Sequence, residues 1–173
     1  MHGEILAFLR SARVESKLPP LGSLRVVELG SIVMHGSPRE VFTGAASYVG
    51  VDWRAGPGVD VVALAHEAPV EEADVVVCCQ MLEHDPHWEK TVAKACSLLR
   101  RGGWLFATWA GPGYNPHELE TAPPWEGAGP YYRNLSVEEV AEVVRRWAPP
   151  GTEVVTRYGR GTLDALLWAR LPA

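Results

Sequence analysis

The stretch from Arg25 to Asp52 constrains the fold of this 173-residue chain more than any other. It opens with a short, β-branched apolar run that stops at Gly30, which predicts a buried strand. A loop of small residues follows, in which Ser37 can cap a helix that has Pro38 at its first position. A second buried strand then ends at Asp52. This order is typical of the nucleotide-binding half of a doubly wound α/β sheet, whose ligand lies across the carboxyl ends of the strands.

The remaining apolar segments predict a single domain over residues 1–173 that continues the same α/β pattern. Further strands are expected at 59–63, 74–79, 104–109, 152–158 and 164–171, and helices at 4–14, 38–42, 87–99 and 137–147. The glycines at 102 and 103 are expected to end the third of these helices. Only residues 53–58 separate the second and third strands, although a parallel crossover normally takes a dozen or more. No helix fits there, so the third strand is either vestigial or joined to the sheet by an unusually short connection.

Residues 110–134 differ from the rest of the chain, since they contain glycines, prolines, histidine and aromatic residues but few aliphatic ones. Irregular segments longer than about 12 to 15 residues in compact domains are usually lids or binding loops. We therefore expect this segment to be a lid or substrate loop.

Charge and cysteine content restrict the function classes. The formal net charge of −5 argues against a general affinity for nucleic acid or for anionic membrane, because both are polyanions. The three cysteines, two of them adjacent at Cys78 and Cys79, do not resemble a disulfide framework and favour the cytoplasm. No apolar run approaches the roughly 20 residues of a membrane span, and the amino terminus does not resemble a secretory signal.

Several motifs resemble those of class I S-adenosylmethionine-dependent methyltransferases, in particular a small subgroup of the methyltransferase type 11 kind. The first motif comprises Glu28, Gly30, Ser31, Gly36 and Ser37, the second ends at Asp52, and later matches are 81–84 and 99–104. The resemblance implies a Rossmann-like, mostly parallel, seven-stranded sheet of order 3-2-1-4-5-7-6 with the last strand antiparallel. It also implies S-adenosylmethionine as cofactor and S-adenosylhomocysteine as product, with no metal expected.

The resemblance places the cofactor along the carboxyl edge of the sheet. Asp52 offers the pair of acceptors that a ribose cis-diol needs, and Glu28 and Gly30 would hold the methionine end. A turn-forming role for Asp52 and a capping or salt-bridging role for Glu28 are the alternatives. Further cofactor contacts are expected at Ser31, Trp53, Ala65, His66 and Gln80.

Adenine recognition departs from the family pattern. Related enzymes carry an acid after the third strand that binds the adenine amino group, and this chain has Leu64 there. His66 or a backbone carbonyl would take over this contact, while the amide of Ala65 would still reach the ring. A plain surface histidine is the alternative for His66.

Methyl transfer from a sulfonium needs alignment and desolvation, with a base only where the nucleophile carries a proton. His84 follows the fourth strand and is the first candidate base, and His117 in the long loop is the second. Tyr131, Tyr132 and Arg133 are expected to line the acceptor pocket. The alternatives are helix capping for His84 and lid packing for the loop residues.

These features predict a methyltransferase that acts on oxygen or nitrogen of a small molecule, as a monomer or a homodimer. A non-catalytic module that binds a nucleoside or a protein is a second hypothesis, because the adenine segment is altered and a helix is missing. An NAD-linked oxidoreductase would need a G-x-G-x-x-G loop, which is absent. Cys79 and Gln80 resemble part of the nucleophile motif of cytosine-C5 methyltransferases, but its proline is missing and the chain is acidic.

Overall fold

The computed structural model describes residues 3–117 and 131–173, which form a seven-stranded mixed sheet with helices on both faces. The strands are β1 (Arg25–Leu29), β2 (Ser47–Asp52), β3 (Val61–Val62), β4 (Ala73–Cys79), β5 (Leu99–Ala110), β6 (Glu153–Tyr158) and β7 (Asp164–Arg170). The helices are α1 (Gly3–Glu15), α2 (Trp88–Leu98) and α3 (Val137–Trp147).

The sheet has the strand order β3-β2-β1-β4-β5-β7-β6. Strands β1, β2, β3, β4 and β5 run parallel to one another, and β7 runs antiparallel to both β5 and β6. The predicted fold class, strand order and antiparallel last strand are confirmed. Because parallel strands end at the same edge, the segments after β1, β2, β4 and β5 meet there.

Alternating side chains along the central strands build a core on each face of the sheet. On one face, Val75, Val77 and Phe106 pack with α1. On the other face, Val76 and Leu105 pack with α2 and α3. The predicted amino-terminal helix therefore packs as a core element.

The third strand is vestigial and is also joined to the sheet by a short connection, so both of the alternatives that the sequence left open hold. Strand β3 has two residues and pairs only with the last two of β2, Val51 with Val61 and Asp52 with Val62. The chain therefore has to return across only two residue positions instead of a whole strand. Residues 53–60 span this distance without a helix, as the sequence predicted.

Two local predictions were wrong in their details. The helix expected at 38–42 is a single 3-10 turn over Pro38–Glu40, although the Ser37 hydroxyl caps it by accepting a hydrogen bond from the Arg39 N–H (3.1 Å). Helix α2 ends at Leu98, before the glycine pair, because β5 already begins at Leu99 and pairs with β4. Gly102 adopts φ +73° inside that strand, where its left-handed backbone permits an irregular turn.

Helix α3 has the predicted bounds and a complete capping box. The Ser136 hydroxyl accepts from the Glu139 N–H (3.2 Å), and the Glu139 carboxylate accepts from the Ser136 N–H (2.8 Å). Such caps contribute about 1 kcal/mol. Within residues 3–117 and 131–173, no helix has the length and apolarity needed to span a bilayer.

Candidate active site

Asp52 lies at the carboxyl end of β2, where the backbone of two loops holds its carboxylate. Its Oδ2 accepts a hydrogen bond from the Ile32 N–H (3.1 Å), and its Oδ1 accepts one from the Arg54 N–H (3.3 Å). Burial raises the pKa of Asp52, and these backbone hydrogen bonds act in the opposite direction. The described part of the chain contains no salt bridge to this carboxylate. The predicted ribose-binding acid is therefore fixed in place by the loop after β1.

Glu28 is buried within β1 and binds another side chain of the protein. Its Oε2 accepts a hydrogen bond from the Tyr48 hydroxyl (2.7 Å), and the Arg39 guanidinium lies 4.5 Å from the centre of the Tyr48 ring. Burial raises the pKa of Glu28 to about 8, so the group is largely protonated at neutral pH. The structure thus gives this carboxyl a partner that the sequence did not indicate.

The close approach that Gly30 allows is made by a side chain of the protein itself. Gly30 has φ +79°, and a Cβ placed there would lie 2.6 Å from Cγ of Met81. Met81 belongs to the motif match 81–84 but was given no role, and it lies against the backbone assigned to the amino-acid end of the cofactor. The neighbouring Ser31 is buried with its hydroxyl against Gly50, and its N–H donates to the Val51 carbonyl (3.0 Å).

Gln80 follows β4 in a conformation that is uncommon for a residue with a side chain. Its φ is +54°, its N–H donates to the Thr108 carbonyl (2.7 Å), and its Nε2 donates to the Thr108 hydroxyl (3.3 Å). Left-handed backbone outside glycine costs free energy and occurs often at functional sites. The bonds to β5 hold Gln80 at the edge of the sheet.

The predicted adenine contacts lie after β2 and β3. Trp53 is half-buried, and the Arg54 guanidinium lies 5.5 Å from the centre of its ring. Ala65 begins a 3-10 turn, Ala65–Glu67, in which the ring of His66 packs edge-on against that of His87 with 4.8 Å between centroids. His66 is thus packed against protein and is not a plain surface histidine.

The other half of the edge brings together three rings from distant parts of the sequence. The ring centroids of His84 and His117 are 5.4 Å apart, and Tyr132 lies 5.2 Å from His84 and 5.3 Å from His117. The two predicted base candidates and one predicted acceptor residue therefore form one cluster. Imidazoles can accept a proton near neutral pH, so the cluster has the groups that acid–base chemistry needs.

Helix capping was the alternative for His84, but the N-cap of α2 is His87, and Asp85 holds the segment before it. The Asp85 carboxylate accepts hydrogen bonds from the His87 N–H (2.7 Å) and the Thr91 hydroxyl (2.5 Å) at the start of α2. Burial raises the pKa of Asp85. The ring of His84 contacts His117 and Tyr132 instead.

Glu83 is an acidic residue to which sequence reasoning gave no role. Its side chain is fully buried (0% exposed), and its Oε1 accepts a hydrogen bond from the Ala110 N–H at the end of β5 (3.0 Å). Its carbonyl accepts from the Arg133 N–H (2.8 Å). The available sequence signal was its position next to His84 in the motif match 81–84. The structure adds that the carboxylate is buried and therefore needs specific partners.

The other two residues predicted to line the acceptor pocket, Tyr131 and Arg133, differ in where their side chains lie. Tyr131 is half-buried, and burial raises its pKa, while the guanidinium of Arg133 binds Glu139 at 2.5 Å and thus points to α3. Arg133 contributes to the cluster through its backbone. Residues 118–130 of the expected lid lie outside the described residues.

Residues 24–169 match the model of a family described as a methyltransferase domain. Over 63 residues the chain is 44% identical to the ubiquinone biosynthesis O-methyltransferase of Bordetella pertussis (strain Tohama I). This match covers 36% of the present chain and 24% of that protein, so it spans about a quarter of the relative's length.

Solved structures share the fold at low sequence identity. A 1,6-didemethyltoxoflavin-N1-methyltransferase of Burkholderia thailandensis, solved with 1,6-didemethyltoxoflavin and S-adenosylhomocysteine, aligns with a TM-score of 0.69 and 15% identity over 99% of this chain and 79% of its own. The magnesium protoporphyrin IX methyltransferase of Synechocystis PCC 6803, solved with S-adenosylmethionine, gives 0.64 and 14% over 96% and 77%. The [4+2]-cyclase SpnF gives 0.70 and 13% over 97% and 82%.

Proposed function

Because this chain belongs to the class I S-adenosylmethionine-dependent methyltransferase family, we propose that it transfers a methyl group from S-adenosylmethionine to oxygen or nitrogen of a small molecule. One observation carries the proposal. The carboxylate of Asp52 after β2 and the ring of His84 after β4 lie at the same edge of the sheet, on either side of β1. A ligand across that edge meets a diol acceptor at one end and an imidazole at the other.

The residues at the β2 end suit an adenosyl group. A carboxylate offers about four acceptor positions, and backbone N–H groups use two of those on Asp52, so capacity remains for two ribose hydroxyls. Trp53 and His66 present rings on the adjoining segments for the adenine. Ala65 and Gln80 would add backbone and amide contacts.

The β1 end has to adjust for the amino-acid part of the cofactor. An ammonium near Glu28 would favour the ionised carboxylate and lower the pKa that burial raises. Met81 would have to turn away from Gly30, which its unbranched side chain permits. Ser31 would contribute through its backbone, because its hydroxyl is buried.

The histidine cluster would act on the acceptor. S-adenosylmethionine, when bound, supplies a methyl group on a positively charged sulfur. His84 and His117 assist in removing the proton from the acceptor, while Tyr132 and Tyr131 pack against its body. Arg133 supports the segment of Tyr131 and Tyr132 because its N–H donates to the Glu83 carbonyl.

We further propose a small-molecule acceptor that is not a nucleic acid, and a cytoplasmic protein. The net charge of −5 opposes binding to polyanions such as nucleic acid. All three cysteines are buried free thiols, as suits a reducing compartment. The oligomeric state, monomer or homodimer, is open.

A second candidate is a ligand-binding module without methyl transfer. It is favoured by Met81, whose side chain lies against Gly30, and by Leu64, which replaces the adenine-binding acid. A fold of this type also occurs in a protein described as a [4+2]-cyclase, so fold and chemistry are separable.

Titration calorimetry with S-adenosylhomocysteine separates the two candidates. Methyl transfer predicts binding in the micromolar range and transfer of radiolabelled methyl to at least one member of a panel of phenols and amines. Absence of binding at millimolar ligand would refute the proposal. Binding without transfer to any acceptor would favour the second candidate.

A further inference from the structure

Three side chains with metal-binding atoms converge beside the acceptor end of the edge. One ligand atom each from Glu83, His84 and His117 lies within 4.8 Å of the others. Glu83 and His84 follow β4, whereas His117 follows β5. Two imidazoles and one carboxylate are the donor set of many three-ligand sites for divalent transition metals, which leave further positions open. We propose that these residues bind one divalent cation of the zinc class.

The spacing requires only a small contraction. Two nitrogen or oxygen ligands at about 2.1 Å from a tetrahedral zinc ion lie roughly 3.4 Å apart. The atoms lie within 4.8 Å of one another, so no pair has to close by more than about 1.4 Å. His117 is half-buried in a loop, so a rotation of its side chain can supply this movement.

The surroundings orient two of the three ligands for this role. The Ala110 N–H fixes one oxygen of the Glu83 carboxylate, and the carboxylate is fully buried. Nδ1 of His117 lies 3.1 Å from the Asn115 carbonyl. A proton on Nδ1 then donates to that carbonyl and leaves the Nε2 lone pair for a cation. Metal-binding histidines and carboxylates are commonly held by such outer hydrogen bonds.

Charge also favours a cation here. The neutral imidazoles add no charge and the carboxylate adds one negative charge, so a divalent ion would meet a site of net −1. The nearby guanidinium of Arg133 binds Glu139 and is neutralised there. Burial makes the carboxylate costly to ionise alone, and a bound cation would offset that cost.

The site goes beyond the proposed methyl transfer and can be tested without it. With a cation bound, His84 and His117 would act as ligands and not as bases. An acceptor O–H that occupies an open position would lose its proton to solvent, and its oxygen would then attack the methyl carbon while the sulfonium sulfur takes the electron pair of the broken bond. The chemical class of acceptor that fits is a hydroxyl compound that can ligate a metal.

The test uses the full chain, stripped of metal with a chelator and titrated with zinc alone in a calorimeter. We expect one ion per chain, at least tenfold weaker binding in both His117→Ala and Glu83→Gln, and no change in His35→Ala, which removes an exposed histidine outside the cluster. Glu83→Gln keeps the acceptor for the Ala110 N–H, and His117→Ala alters only a loop, so both variants should fold.

Cobalt(II) provides an independent readout, because its visible absorption reports the coordination of the ion by protein ligands. The band should appear in the unmodified chain and in His35→Ala, and weaken in His117→Ala. Binding no tighter than about 1 mM, or equal zinc affinity in the unmodified chain and His117→Ala, would overturn the site. Either result would leave S-adenosylhomocysteine binding, and thus the proposed function, to be judged separately.

Discussion

The two halves of the carboxyl edge differ in what surrounds their acidic groups. At the β2 end, Asp52 is fixed by the backbone N–H of Ile32 in the loop after β1 and by the backbone N–H of Arg54, two residues further along the chain. At the β4 end, Glu83 is fixed by the Ala110 N–H of another strand, and His84 contacts His117 from a separate loop. Backbone N–H groups thus hold the acid at both ends, and at the β4 end a cluster of side chains from distant positions lies beside it.

This difference suggests a division of labour. The position of Asp52, which is set by backbone N–H groups, tolerates changes in neighbouring side chains, because peptide groups are present whatever those side chains are. The cluster of His84, His117 and Tyr132 at the β4 end depends on each of its side chains, as expected where chemistry and acceptor choice are decided. Single substitutions should therefore affect binding at one half and turnover at the other.

The largest expected effect is on turnover, at the β4 end of the edge. His84→Ala should lower turnover with a cognate acceptor by about 10² to 10⁴, the usual contribution of acid–base groups. The affinity for S-adenosylhomocysteine should stay within twofold, since His84 lies after β4, away from Asp52. Initial rates and calorimetry measure the two quantities. His35→Ala serves as the control, and unchanged turnover in His84→Ala would show that the residue has no chemical role.

At the β2 end, Asp52→Ala should lower the affinity for S-adenosylhomocysteine, which His84→Ala leaves nearly unchanged. Loss of two charge-assisted hydrogen bonds to ribose, about 1.5 kcal/mol or more each, predicts at least a hundredfold loss of S-adenosylhomocysteine affinity. Circular dichroism would check that the loop after β1 stays folded. Glu72→Gln, which alters an exposed carboxylate, should bind as the unmodified chain does. An equal loss in both variants would rule out a specific role for Asp52.

Glu28, the buried carboxyl in β1, should make the free energy of unfolding depend on pH. Burial raises the pKa of Glu28 from 4.5 to about 8, so the folded state holds a proton that the unfolded state has lost between these values. Its contribution to the free energy of unfolding is full below pH 4.5, falls as pH rises to about 8 and is absent above it. The decrease should be on the order of a few kcal/mol.

Urea unfolding at pH 5 and pH 8.5 would measure this decrease in the unmodified chain and in Glu28→Gln, which keeps an acceptor for the Tyr48 hydroxyl. Asp52 and Asp85 contribute with the same sign, because burial raises their pKa too. The variant should therefore show a smaller decrease, not a flat profile. Identical profiles would mean that Glu28 ionises normally.

The smallest expected effect concerns adenine. Trp53→Ala should weaken S-adenosylhomocysteine binding by about fivefold, the size of a stacking contribution of roughly 1 kcal/mol. Trp53→Phe should recover most of that affinity, because it keeps an aromatic ring. Zinc binding should not change in either variant. A loss of zinc affinity in Trp53→Ala would contradict the separation of the two halves.

Sequence reasoning was most successful where structure depends on neighbours in the chain. Strand β2 and helix α3 have the predicted bounds, since the strand is a compact apolar run and the helix carries its own capping box. It was least successful at the junction of α2 and β5. There, pairing of Leu99 with Ala73 begins the strand before the glycine pair, and this pairing joins residues 26 positions apart.

The candidate site shows the same limit. The position of Asp52 at the end of β2 followed from the local pattern, and His84 and His117 were identified as ionisable residues in loops. Their contact with each other, and the buried Glu83 beside them, were not predicted. They require the parallel pairing of β4 with β5, which aligns the segments that follow both strands.

By itself, the sequence determined the order of strands and helices, the acid at the end of β2 and the family of the chain, because each is encoded in a short run of residues. Only the tertiary structure decided that Met81 lies against Gly30, that Tyr48 binds Glu28 and that a carboxylate and two histidines converge. The physical reason is that such contacts join residues whose distance is set by strand register and packing, which no local pattern of side chains records.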